Sequence, residues 1–431
     1  MPDDVLVVQG GDVIDQDGRR TVDVLVVDGV IAEVGPAIAP PAGAVVLDAT
    51  GAVVAPGLVD LHTHLREPGR EEAETVLTGS RAAARGGFTA VVAMPNTDPA
   101  MDSAAVIRQV QALGGDALCD VHPSAAITVG RRGETLAPMA ELADLGVRIF
   151  TDDGDGVQDA RLMRRAMEYA RGLPHDVVLA QHCEVDALAD GGHMNEGGWS
   201  SRLGIPGVPA EAEDLMVARD IALARLAGTP VHFQHLSTVG SVELVRQAKA
   251  AGLAVTAEAC PHHFTLTEAS VQGYDPVFKV NPPLRSDEDV AAVRAGLLDG
   301  TFDAIATDHA PHPREVKELP FDQAPPGMVG LETALALALT ELELDIEVVI
   351  GLLSWKPAAV ARLAHEHGGP IVADRPAHLC IIDPDLEWTV DPADTASRST
   401  NNPYAGRDLR GRVRHTVLRG EAVVIDGVPQ R

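Results

Sequence analysis

The sequence predicts an α/β protein: a (β/α)8 TIM-type barrel carrying a small antiparallel β-sandwich built from both chain termini. Three observations predict it. From about residue 57 to residue 362, eight apolar runs rich in β-formers alternate with helical segments of roughly ten to fifteen residues, the rhythm of a parallel sheet made of βα units. Histidines and carboxylates recur at the C-terminal ends of these runs, and a barrel gathers its strand C-termini on one rim. Residues 1–56 and 363–431 have a different texture, with short alternating segments broken by Gly and Asp turns. The expected division is therefore 1–56 plus 363–431 for the β-sandwich domain and 57–362 for the barrel.

Taken in order, the terminal sheet begins with Val5 to Val8, Val22 to Val27 and Ala44 to Asp48, separated by turns such as Asp17-Gly18 and Asp28-Gly29. The expected barrel strands are 53–61, 88–94, 121–127, 147–151, 177–181, 231–234, 253–258 and 302–307. No G-x-G-x-x-G follows the first of them, so a doubly wound dinucleotide-binding sheet lacks its fingerprint. The stretch from Arg412 to Gly427 echoes Leu6 to Asp15, which predicts that the two chain ends share a sheet.

Composition narrows the function. A chain of 431 residues with 41 Gly, 30 Pro and 45% hydrophobic residues suits a large globular domain plus a smaller one. The formal net charge of -29 argues against nucleic acid or an anionic membrane as partner, and local arginines must then attract any anionic substrate. No apolar run of about 18 residues occurs and the N-terminus, MPDDVLVVQGGDV, is acidic, so a cytoplasmic protein is expected. Cys119, Cys183, Cys260 and Cys380 are far apart, without a C-x-x-C pair, and read as small apolar residues.

The chemistry concentrates in the stretch from Gly57 to Gly69. An apolar strand ends there in His62 and His64, which two-residue spacing places on one face as half a metal site. Asn96 follows the second strand, Asp152-Asp153 the fourth, His182 the fifth, His235 the sixth, and Asp308-His309 the eighth. Four histidines and two acidic positions exceed what one tetrahedral zinc takes. They suit two metals about 3.5–4 Å apart that share a bridging carboxylate and a bridging hydroxide. Nitrogen and oxygen donors without thiolate favour zinc, with manganese or cobalt as substitutes. Such a centre hydrolyses amides or esters, and Asp308 is the candidate to carry the proton to the leaving nitrogen. Neighbouring strand residues face opposite ways, so this reasoning leaves Asp152 and Asp153 undecided. His262 and His263 close the seventh strand and read as supporting or packing residues. His122, His367 and His378 read as structural or solvent-facing. The glycine-rich piece from Gly191 to Gly198 reads as a long loop, and Pro311 to Met328 as a lid over the site.

As a set, PGLVDLHTHLREPG (Pro56 to Gly69), FTDDGDGVQ (Phe150 to Gln158), QHCE (Gln181 to Glu184), HLST (His235 to Thr238), AEACPHHFTLT (Ala257 to Thr267), NPPLR (Asn281 to Arg285) and ATDHAPH (Ala306 to His312) resemble the dihydroorotases of the amidohydrolase superfamily, bacterial class I type. The resemblance spans nearly the whole chain, through Asn401 to Gly406. It implies a zinc enzyme of pyrimidine synthesis that interconverts dihydroorotate and N-carbamoyl-aspartate. Carried over by position, His62, His64 and Asp308 hold one zinc, His182 and His235 the other, and Asp153 bridges them. Arg66, Asn96 and His312 grip the substrate, with Asn281 nearby and Pro326-Gly327 closing the site. Related hydantoinases and allantoinases bridge their metals with a carboxylated lysine after the fourth strand, but Val147 to Gly156 contains none. Pro326 stands where this subgroup usually has an aromatic residue, and a proline lacks the N–H donor. The resemblance further implies a homodimer and association with aspartate carbamoyltransferase. The competing expectations are another cyclic amidase, of allantoinase or dihydropyrimidinase type, and a silent dihydroorotase-like scaffold for that transcarbamoylase.

Overall fold

The structure, a computed structural model, describes residues 5–431. Residues 1–4, where the terminal domain and the acidic N-terminus were expected to begin, lie outside the described residues. Eight strands form the central layer: β1 (Leu58–Thr63), β2 (Phe88–Ala93), β3 (Asp120–Pro123), β4 (Ile149–Phe150), β5 (Val178–Gln181), β6 (Val231–Phe233), β7 (Val255–Ala259) and β8 (Ala304–Ile305). All neighbours are parallel, β1 with β2 and β3 in one sheet and β4 to β8 in order in another. Two parallel bridges span the seams, Ala125 with Phe150 and Thr63 with His309, supported by Thr151 N–H to Ala125 O at 2.8 Å and His64 N–H to His309 O at 2.9 Å. β1 and β2 are buried at every residue, as strands covered on both faces must be.

Helices fill the connections: α1 (Val76–Arg85), α2 (Ala104–Leu113), α3 (Met139–Asp144), α4 (Ala160–Arg171), α5 (Glu211–Ala227), α6 (Val239–Ala250) and α7 (Asp287–Asp299). Their ends are written locally. Thr75 caps α1 in a capping box with Thr78, and Ser286 caps α7 with Asp289 behind an acidic first turn that suits the positive end of the helix. α7 stops at Gly300, whose φ of +81° is the left-handed conformation that ends helices. In α4 the buried residues Met163, Ala166, Met167 and Ala170 recur at helical spacing, so one face packs inward and the arginines face out.

Three sequence expectations need correction. The run from Val53 to Leu61 is two elements, because Val53–Pro56 pairs with Leu379–Thr389 and Asp12–Asp15 in a seven-stranded sheet, while β1 starts at Leu58. Gly57 is the crossing point: a Cβ there would meet Thr89 Oγ1 at 2.1 Å, so only glycine lets the chain pass between the two sheets. The terminal sheets are mixed rather than antiparallel. Val5–Gln9 runs parallel to Val45–Asp48, and Asp12–Asp15 parallel to Val53–Pro56, since long connections permit crossovers that tight hairpins do not. Strands β3, β4 and β8 are also shorter than expected, because beyond their ends the buried apolar backbone pairs only through single bridges and hydrogen bonds, such as Ala125 with Phe150, rather than a continuous ladder.

The two chain ends do share the seven-stranded sheet, through Leu379–Thr389 and Asp408–Leu418. Leu6, Val8 and Val24 of the four-stranded sheet pack in one apolar cluster with Val54, Leu379 and Ile381 of the seven-stranded one. The four cysteines are buried and free, and burial pushes the Cys380 thiol up, away from the reactive thiolate. Met194–Asn195 pairs with Gly207–Val208, giving the glycine-rich loop after β5 a short ladder of its own.

Candidate metal centre

Parallel strands deliver their C-terminal residues to one end of the ring. There His62 (in β1), His64, Asp153 (after β4), His182 (after β5), His235 (after β6) and Asp308 (after β8) come together, all buried. His62 Nε2 lies 3.2 Å from Asp153 Oδ1 and 3.6 Å from Asp308 Oδ1. His64 Nε2 lies 2.9 Å from Asp308 Oδ1 and 3.6 Å from Asp153 Oδ2. His182 Nδ1 and His235 Nε2 are 2.9 Å apart, each 3.7 Å from Asp153 Oδ1. Asp153 therefore stands between two histidine pairs. Donor atoms of His62, His64 and Asp153 fall within 4.8 Å of one another, as do those of Asp153, His182 and His235.

The donor set fits metal on physical grounds. His62 Nε2, Asp153 Oδ1 and His235 Nδ1 are buried without a hydrogen-bond partner, whereas buried polar atoms are normally satisfied. Burial opposes charge on Asp153, yet the facing imidazoles of His62, His182 and His235 outweigh it and hold the carboxyl well below its usual range. Burial likewise opposes charge on Asp308, and His62 and His64 outweigh it. Burial disfavours a charged His62, but Asp153, Asp308 and Glu258 raise its pKa well above normal. Carboxylates held ionised around a buried imidazole call for a cation, supplied by a proton or a metal ion. Asp308, His235 and Arg66 have φ of +44°, +37° and +61°, a region that is strained for residues with side chains.

Asp152 is decided by its neighbours. The backbone N–H and hydroxyl of Thr128 both donate to its carboxylate, which turns it away from the cluster and leaves Asp153 facing in. Beside the cluster opens a cleft of about 230 Å³ whose lining includes Arg66, Asn96, Asn281, His312, Pro326 and Gly327. Arg66 is buried, its Nε donating to Pro311 O at 3.2 Å and Nη2 lying 3.5 Å from His312 Nε2. Burial, with Arg70 close by, lowers its pKa to about 10, so it stays charged at neutral pH. Glu67 and Glu71 instead accept backbone N–H groups from Val76 and Gly69. Burial, with Arg66 and Lys317 adding, lowers His312 to about 3, so it is a neutral imidazole, donating from Nε2 to Pro326 O at 2.8 Å.

Asn96 does more than expected: its Oδ1 is 2.9 Å from His64 Nδ1 and its Nδ2 donates to Asp153 Oδ2 at 3.2 Å. Gly327 N–H donates to Lys279 O and Pro326 has no N–H, so these two residues shape the wall without offering backbone donors. The segment from Pro311 to Met328, expected as a lid, is tied down. Lys317 Nζ donates to Pro325 O and Gly327 O, and Asn401 Nδ2 to Ala310 O and Gly327 O. His263 Nε2 donates to Pro282 O, a supporting role, and His309 joins Glu74 at 3.4 Å.

Sequence reasoning missed Glu258, which is fully buried in β7 against His62, and Gln234, whose Oε1 accepts from the Thr151 hydroxyl. The signal for Glu258 was a single acid inside an otherwise apolar strand end, where a charge needs a reason.

A family model described as Dihydro-orotase-like matches residues 51–241. Dihydroorotase of Streptomyces coelicolor is 50% identical over 95% of this chain and 96% of its own length. That of Pelotomaculum thermopropionicum is 51% identical over 98% and 99%, and that of Mycobacterium bovis 48% over 95% and 96%. Among solved structures, L-hydantoinase (dihydropyrimidinase) from Arthrobacter aurescens superposes with a TM-score of 0.88 at 24% identity over 99% of this chain and 97% of its own. A D-hydantoinase does so at 0.85 and 22% over 99% and 96%, a likeness of fold.

Proposed function

The chain belongs to the dihydroorotase family and is a cyclic amide hydrolase; from that premise we propose that it interconverts (S)-dihydroorotate plus water with N-carbamoyl-L-aspartate at a two-zinc centre. His62, His64 and Asp308 would hold one ion, His182 and His235 the other, with Asp153 between them. The observation that carries this is the convergence of four imidazoles and two ionised carboxylates on Asp153, with three of their buried atoms left unbonded. Zinc bound there would lower the pKa of water to about 7 and polarise the ring carbonyl.

The chain's own residues supply the rest. Arg66, buried at the cleft wall, offers a guanidinium fork to the substrate carboxylate, a contact stronger than a neutral hydrogen bond. Asn96 and Asn281 present amide groups to the ring, and neutral His312 keeps Arg66 company without competing for the anion. Asp308, held ionised and 2.9 Å from His64 Nε2, accepts the proton of the attacking water. It returns that proton to the ring nitrogen as the C–O bond forms and the C–N bond breaks. Pro326 and Gly327 bound the cleft by shape.

We also read the circuit of eight parallel strands and two bridging seams as a closed (β/α)8 barrel over 57–362, with the terminal sheets of 1–56 and 363–431 as a β-sandwich. A cytoplasmic homodimer, with aspartate carbamoyltransferase as a further partner, completes the reading. Among the described residues no helix is long and apolar enough to cross a membrane. The hydantoinase-like fold suits other cyclic amidases equally, but a buried, charged Arg66 beside the metal cluster suits a substrate with a carboxylate on its ring. Turnover of dihydroorotate, dihydrouracil and allantoin measured side by side, before and after chelation and zinc return, tests the proposal. Dihydroorotate should dominate and activity should follow zinc. Full activity after exhaustive chelation, or preference for an uncharged ring, overturns it. Purified protein with little zinc and no turnover would favour the scaffold.

A further inference from the structure

Resting on the metal-centre reading, we propose that Glu258 is a positioning residue that holds both halves of the centre at once, by fixing the tautomer of His62 and pinning the backbone of His235. It lies in β7, beneath the cluster and outside the cleft, so it touches neither substrate nor reacting atoms. Its Oε1 is 3.0 Å from His62 Nδ1 and 3.3 Å from the backbone nitrogen of His235, and its Oε2 is 3.0 Å from His232 Nε2.

An ionised carboxylate can only accept, so each of these three nitrogens must donate. Two imidazole nitrogens and a backbone N–H surround its two oxygens, so the carboxylate is the acceptor for all three. His62 therefore donates from Nδ1, which leaves Nε2, 3.2 Å from Asp153 Oδ1, as the nitrogen that gives its lone pair to a metal once the metal replaces a proton there. Gln234 Nε2 also approaches His62 Nδ1, at 3.3 Å, but the shorter contact to a charged acceptor decides the tautomer. His232 carries its proton on Nε2, and its Nδ1, 2.9 Å from Thr256 Oγ1, accepts from that hydroxyl.

The His235 contact adds a second function. With φ at +37°, His235 sits in a conformation that is strained for a residue with a side chain, so its backbone must be held. The carboxylate that sets the His62 ring also takes the His235 N–H, tying a ligand from β1 to a ligand from β6 through β7. Loss of Glu258 should therefore loosen both sides of Asp153 together.

Glutamine at this position keeps the shape but offers one acceptor and one donor, so it can serve His62 or His232 but not both. The test titrates zinc into full-length metal-free protein against a chromophoric chelator. It uses wild type, Glu258→Gln and, as a control at the far end of the ring, Asp120→Asn. Glu258→Gln should bind every zinc equivalent of the wild type about 10–100-fold more weakly. Long-range proton–nitrogen spectra of the zinc-loaded proteins should show His62 as the Nδ1–H tautomer in wild type, and a changed tautomer of His62 or His232 in the variant. His232→Gln, which leaves the Glu258–His62 contact in place, should give a smaller loss in the same direction and keeps the test alive should Glu258→Gln fold poorly. Wild-type zinc affinity in Glu258→Gln, loss of one zinc equivalent alone, or an equal loss in Asp120→Asn each overturns the positioning role. A wild type that takes up no zinc sinks the metal-centre reading itself, which separates the two failures.

Discussion

Two clusters of imidazole and carboxylate occupy opposite ends of the parallel strands. At the C-terminal end stand the residues around Asp153, and at the N-terminal end Asp120, His122 and His367, with the His378 ring 4.1 Å from that of His367. In both, the donor atoms of three residues lie within 4.8 Å of one another, so proximity does not distinguish them. Charge does. Asp120 Oδ2 accepts from Arg419 Nη2 at 2.6 Å and from His367 Nε2 at 3.0 Å, and His367 Nδ1 lies 3.1 Å from Thr89 Oγ1. The lower carboxylate already has its cation. Among the described residues, the ion-pair partners of Asp153 and Asp308 are all histidines, which need a proton before they carry charge. A metal centre is recognised here by carboxylates held ionised without a permanent cation, more than by close ligands.

That contrast is open to attack at both ends. The largest expected effect is at the upper one: Asp308→Asn should lower kcat by about 10²–10⁴-fold with unchanged circular dichroism. Near-normal turnover would remove Asp308 from proton transfer. Next, Arg66→Ala should raise KM for dihydroorotate about 10–100-fold, as loss of a charge-assisted hydrogen bond does, while zinc content by mass spectrometry holds steady. A parallel fall in zinc would place Arg66 in metal retention instead.

The lower cluster should respond in stability alone. Asp120→Asn leaves buried His367 without its charged acceptor and should lower the unfolding free energy by about 1–3 kcal/mol in denaturant titration, with zinc content and kcat/KM unchanged. Loss of a zinc equivalent there would break the comparison. The smallest effect concerns pH. Burial, with His367 adding, pushes the pKa of His122 down to about 4 and that of His378 to about 3. Unfolded histidines titrate near about 6.5, so below that pH the unfolded chain binds protons that the native state refuses. Stability should therefore fall as pH drops from 6.5 toward 4. His122→Gln should flatten that slope in urea midpoints measured across the range, and an unchanged slope would assign it elsewhere.

Most of the fold and five of the six proposed ligands were legible in the chain, because both depend on local pattern. Apolar runs at strand length, capping residues such as Thr75 and Ser286, and glycine at a helix end such as Gly300 act within a few residues. Polar residues just past apolar runs then fall on one rim by the geometry of parallel strands alone. The break at Gly57 was hidden because its cause, the side chain of Thr89, comes from the next strand.

The sequence by itself therefore determined the strand–helix rhythm, the strand ends that bear His62, His64, His182, His235 and Asp308, and the absence of a lysine bridge between Val147 and Gly156. Only the tertiary structure decided that Asp153 and not Asp152 faces inward, that Pro326 and Gly327 lend shape without donors, and that Glu258 stands under His62. Each of those outcomes depends on which atom meets which across the ring. Glu258 and His62 lie 196 positions apart, and a contact at that separation leaves no trace in the spacing of neighbours.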